Sequence, residues 1–107
     1  MKELKSIEAF HDMVQSGKTV IEFYADWCTD CKRIEPNLDT WADQFAGQFA
    51  MARINCEEVP EIAEQFEVVG IPSFLAFDHA KLVNRLYSRD AKSKQQVESY
   101  LQSAFDV

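Results

Sequence analysis

Residues 22–32 read Glu22-Phe23-Tyr24-Ala25-Asp26-Trp27-Cys28-Thr29-Asp30-Cys31-Lys32, EFYADWCTDCK. The stretch opens inside the run TVIEFYA (19–25), β-branched and aromatic with little alternation, which is the pattern of a strand covered on both faces. From Cys28 the period changes. Cys31, Ile34, Leu38, Trp41, Ala42 and Phe45 recur at helical spacing, and Gly47 closes the helix. Two cysteines therefore stand where a strand gives way to a helix. Pro36 falls inside the helical pattern, removes one backbone hydrogen bond and predicts a kink.

Working outward, Ser6 is placed to cap a first helix with Ile7, Phe10 and Val14 on one stripe and Gly17 as its stop. A short strand is expected at Lys2–Lys5. FAMARIN (49–55) reads as a second long strand, followed by an acidic helix from Pro60 to about Phe66. SFLAF (73–77) and KLVNRLY (81–87) flank a tight turn at Asp78-His79-Ala80 and predict an antiparallel hairpin. Ser93 with Gln96 forms a capping-box pattern ahead of a last helix that would bury Val97, Tyr100, Leu101 and Phe105. Strand–helix alternation ending in a hairpin gives an α/β fold, a mixed sheet with helices on both faces.

Composition narrows the function. With 107 residues, three Gly and three Pro, one domain (1–107) is expected, with no linker or repeat. A net charge of −7 disfavours nucleic acid and anionic lipid, since both present phosphate. No apolar run reaches the length of a bilayer span. The first residues, MKELKSIEAFHD, lack the apolar core of a signal peptide, and the odd cysteine count (Cys28, Cys31, Cys56) suits a reducing compartment. A cytoplasmic chain, monomeric and away from membranes, is the expectation.

Three chemistries compete for a Cys-x-x-Cys. A zinc clasp needs four ligands, and Cys56, His11 and His79 offer no second pair at ligand spacing. A structural disulfide across three residues closes too short a loop to stabilise much. A redox dithiol fits the junction better. Cys28 would face unsatisfied N–H groups of the first helical turn, which favour a thiolate, and Cys31, one turn on, could resolve a mixed disulfide formed there.

The chain resembles the thioredoxin family over nearly its whole length. The matching stretches are VIEFYADWCTDCK, Pro36 five residues after the second cysteine, ARINCEE, and VVGIPSFLAF. The resemblance implies a thioredoxin fold and a protein-disulfide reductase that cycles between dithiol and disulfide without a bound cofactor or metal. Its partners would be disulfide-containing proteins and a thioredoxin reductase or similar electron donor. It implies that Cys28 attacks, Cys31 resolves, Trp27 flanks them, and Ile71-Pro72 is a cis peptide that helps hold the substrate chain. From the residues alone, Pro72 could equally be a trans proline opening a strand, and Trp27 simple packing. Two features depart from the family: Thr29-Asp30 stands where Gly-Pro is usual, and Ser88 replaces a glycine of the substrate groove, within a segment (SRDAKS) slightly longer than usual. Two other readings stay open, a reductase of low-molecular-weight mixed disulfides and a redox-silent module that binds partners beside Pro72.

Glu22 interrupts the apolar run. On an edge strand it would reach water; by resemblance it lies buried beneath the dithiol and relays the proton of Cys31. Arg53 falls where the family has a lysine near that acid, and would lower the pKa of a buried carboxyl that desolvation raises; otherwise it faces solvent. Asp30 would raise the Cys28 pKa through its charge while restoring a backbone N–H that proline lacks. Cys56, beside Glu57 and Glu58, reads as non-catalytic because those charges oppose a thiolate.

Overall fold

The computed structural model describes residues 1–106. Its centre is a five-stranded mixed sheet of β1 (Lys2–Leu4), β2 (Lys18–Tyr24), β3 (Ala50–Asn55), β4 (Ser73–Asp78) and β5 (Lys81–Leu86), in the order β1-β3-β2-β4-β5. The first three are parallel to one another; β4 runs antiparallel to β2 and to β5. The unbroken apolar run of β2 follows from its central place, because both faces of a middle strand are covered.

Side-chain alternation sends Ile21 and Phe23 to one face, where they meet Phe10 and Val14 of α1 (Ile7–Gln15) and Ile62 of α4 (Pro60–Gln65). Val20 points the other way, toward α2 (Thr29–Ile34), α3 (Leu38–Gln44) and α5 (Lys94–Ser103), in a core built around Trp41, Phe74 and Leu101. Helices therefore cover both faces, as the α/β reading expects. Among the described residues no helix is long and apolar enough to cross a membrane.

Two local expectations are met and one is sharpened. The Ser6 hydroxyl accepts the Ala9 N–H, and Ser93 and Gln96 form a full capping box. The hairpin turn places His79 and Ala80 at φ 49° and 71°, the left-handed pair that a two-residue turn between twisted strands requires. The single kinked helix expected after Cys28 is instead two helices. A 3-10 turn at Glu35–Asn37 separates α2 from α3, because Pro36 has no N–H to continue the α-helical ladder. Phe105 lies past the end of α5 and packs against the core from there, half-buried.

Candidate active site

Cys28 is the N-cap of α2. Its sulfur accepts the Cys31 backbone N–H at 3.1 Å, and the pair is closed as a disulfide with Cα atoms 5.2 Å apart. Both cysteines are buried, and Cys28, at 5% exposure against 1% for Cys31, is the less enclosed of the two. The strand end puts Cys28 at the cap: Tyr24 closes β2, Asp26 and Trp27 turn the chain, and the helix starts at Thr29. The Ile71–Pro72 bond is cis, and the Ile71 carbonyl oxygen lies 3.6 Å from the Cys28 sulfur. Tyr24 and Ile71 complete the small cluster around the two cysteines.

Trp27 is 65% exposed, so the packing reading of that residue is wrong. It stands on the surface next in sequence to Cys28. On the other side, Ser88 sits over Gly70: a methyl group on Gly70 would run into the Ser88 hydroxyl and come within 3.1 Å of its Cβ. Gly70→Ala should therefore cost ~1–3 kcal/mol in urea unfolding, and adding Ser88→Gly should recover most of it. An equal loss in both backgrounds would show that Ser88 is not the obstacle.

Glu22 does not reach water. It is fully buried in β2, on the face covered by α2 and α3, two residues before the Tyr24 that packs against the cysteines. Strand register puts Glu3, Arg53 and Glu22 side by side on β1, β3 and β2. The Arg53 Nε donates to Glu22 Oε1 at 3.1 Å, and its Nη2 lies 3.6 Å from Glu35. Its guanidinium lies over the Tyr24 ring, 3.6 Å from the centroid, while the Tyr24 hydroxyl donates to Glu3 at 2.7 Å. Arg53 is thus a paired, mostly buried cation; the solvent-facing alternative does not hold. Loss of water pushes the Glu22 carboxyl up to about 7, with Arg53 pulling against that rise. Among the described residues, Glu22 Oε2 has no hydrogen-bond partner.

The Asp30 carboxylate is claimed by two cations. Arg33 Nη1 donates to Oδ1 at 2.8 Å, and Lys92 Nζ donates to Oδ2 at 3.0 Å. The Lys92 hydrogen bond leads the causes that hold Asp30 below the usual carboxylate range. Arg33 also donates to the Lys92 carbonyl, so the CxxC turn is tied to the segment before α5. The sequence reading missed both partners. Arg33 was findable, since i and i+3 are neighbours on a helix; Lys92, 62 residues away, left no local signal. Cys56 is a free thiol pushed up to about 11, first by burial and then by the charge of Glu22; Glu57 adds less than the sequence reading supposed.

A strand-to-helix turn that closes two cysteines into a disulfide beside a cis X-Pro peptide is the apparatus of a thiol–disulfide oxidoreductase. The comparisons agree. The thioredoxin family model matches residues 2–103. A thioredoxin of Acidithiobacillus ferridurans is 37% identical over 93 residues, covering 86% of this chain and 84% of that protein. A thioredoxin of Staphylococcus saprophyticus is 34% identical over 77 residues, covering 72% and 74%. In fold, Plasmodium falciparum thioredoxin superposes with a TM-score of 0.88 at 19% identity, covering 96% of this chain and 98% of that one. The chain belongs to the thioredoxin family, and it is a disulfide oxidoreductase.

Proposed function

We propose that Cys28 is the attacking thiol of a protein-disulfide reductase and that Cys31 resolves the intermediate. The Cys28 thiolate attacks one sulfur of the substrate disulfide; a Cys28–substrate disulfide forms and the other substrate sulfur leaves as a thiolate. Cys31 then attacks Cys28, the second substrate sulfur leaves, and the Cys28–Cys31 disulfide closes. Two electrons pass to the substrate, and both released thiolates take protons. The observation that carries this reading is the asymmetry of the pair: Cys28 caps the helix, its sulfur accepts a backbone N–H, and it is the less enclosed of the two cysteines. Glu22, with a pKa near 7, takes the Cys31 proton as that thiol becomes a nucleophile. Trp27 and the Ile71–Pro72 peptide border the Cys28 sulfur and hold the substrate chain.

The electron donor is a thioredoxin reductase in this reading. A Mycobacterium leprae protein described as a bifunctional thioredoxin reductase/thioredoxin supports it: 32% identical over 92 residues, which are 85% of this chain and 20% of that protein. A cytoplasmic setting follows from the same logic, because the dithiol has to be returned to its reduced form. Insulin precipitation in dithiothreitol tests the activity. A rate no faster than dithiothreitol alone would favour the redox-silent binding module.

Asp30 has a different role from the one its charge suggested. Its carboxylate holds Arg33 and Lys92 at the turn that carries Cys28. Asp30→Asn leaves two cations without their counter-charge, and both favour a thiolate. The Cys28 pKa should fall, and the protein should become easier to reduce at equilibrium with glutathione. Thiolate absorbance against pH checks this; a pKa unchanged or raised would mean that the cations act at Asp30 alone.

A further inference from the structure

The charges of this chain are segregated. Between Arg53 and Lys81 there is no lysine or arginine, while Glu57, Glu58, Glu61, Glu64, Glu67 and Asp78 fall there. Residues 81–94 reverse this, with Lys81, Arg85, Arg89, Lys92 and Lys94 against Asp90 alone. The two regions face each other across a groove of about 690 Å³, whose one wall includes Glu67, Val69 and Gly70 and whose other includes Arg85, Tyr87 and Arg89. Gly70 on its wall precedes Ile71, whose carbonyl oxygen lies 3.6 Å from the Cys28 sulfur, so the groove lies one residue along the chain from the site.

The walls differ in what they offer. Val69 is 96% exposed and Tyr87 39%, which leaves apolar surface uncovered beside the site. Arg85 makes no ion pair among the described residues, and Arg89 has only a 3.8 Å contact with Asp90. A guanidinium binds a carboxylate through two parallel hydrogen bonds, so two such groups on one wall select acids. Glu67 on the opposite wall repels them and fixes the side on which they must lie. A protein of net charge −7 has no general attraction for acidic partners, so any preference arises here.

We propose that Arg85 and Arg89 on this groove make the protein select substrates that carry acidic residues in the segment flanking the disulfide. The inference rests on Cys28 as the attacking sulfur. The occupant is an extended peptide with an apolar side chain against Val69 and Tyr87 and a carboxylate on the arginine side.

The test uses two synthetic peptides with the same disulfide, one flanked by aspartate and glutamate and the other by lysines. The acid-flanked peptide should be reduced with a kcat/KM roughly three- to tenfold higher in low salt, and the gap should narrow as salt is added. Arg85→Glu combined with Arg89→Glu should invert the order; both side chains are exposed, and circular dichroism verifies folding. Hydroxyethyl disulfide, too small to reach the groove, reports on the dithiol alone. If it is not reduced, the reading beneath the inference falls and takes the acid selection with it. If it is reduced while the two peptides react equally, or the lysine peptide reacts faster, the acid selection is wrong and the dithiol assignment stands. Sedimentation showing a second copy of the chain seated in the groove would also overturn it.

Discussion

Cys28→Ser should reduce insulin no faster than dithiothreitol alone, whereas Cys31→Ser should accumulate as a stable mixed disulfide with its targets. The two substitutions differ by one oxygen in place of one sulfur, three residues apart, yet they stop the cycle at different points. Without Cys28 no bond to substrate forms, since Cys31 is 1% exposed and Cys56 presents almost no thiolate near neutral pH. Without Cys31 the first exchange proceeds and nothing resolves it. Mass spectrometry of the trapped species reads the difference directly and identifies the substrates. A mixed disulfide on Cys31 in the Cys28→Ser protein would reverse the assignment. Cys56→Ser should keep full activity, because that thiol is pushed up to about 11 and presents almost no thiolate near neutral pH.

The second large effect concerns stability. Glu22 in the unfolded chain titrates near 4.5 and in the folded protein near 7, so the folded state holds this proton more tightly. Its contribution is therefore fully present below about pH 4.5 and is lost as the pH rises through 7. At about 1.4 kcal/mol per pH unit the gap amounts to ~3 kcal/mol. Glu22→Gln removes the titration, and its amide oxygen can still accept the Arg53 N–H. The stability difference between the variant and its parent should grow by ~3 kcal/mol from pH 4.5 to pH 8, in favour of the variant. Urea titrations across that range measure it, with disulfide exchange slowed in the same protein. A flat difference would place the carboxyl in a far wetter site than its burial indicates.

These two residues also show what the sequence could reveal. The junction at Cys28 was legible because it changes period, and a change of period is local. The strands and α-helices were readable for that reason, apart from the break at Pro36, where the missing N–H signalled a disturbance but not its form; the 3-10 turn at Ser88–Asp90 left no such signal. The burial of Glu22 was legible only through family resemblance, since an acid in an apolar run fits an edge strand equally well until the strand order is known. The order β1-β3-β2-β4-β5 decides it by putting β2 in the middle. The Asp30–Lys92 pair lay beyond reach for the same reason: it joins a helix start to a segment that only the folded sheet brings near.

The break at Pro36 has a mechanical consequence. The six-residue helix that carries the chemistry contributes only Cys31 and Ile34 to the interior, whereas Leu38 and Trp41 on the far side of the break anchor the core. A continuous helix would transmit any shift at its first turn along its axis to those anchors. The interruption uncouples the exposed positions 29 and 32 from those anchors, so substitutions there should carry little penalty to folding. Changes beside the dithiol can thus alter how strongly it gives up electrons while the core around Leu38 and Trp41 keeps its packing.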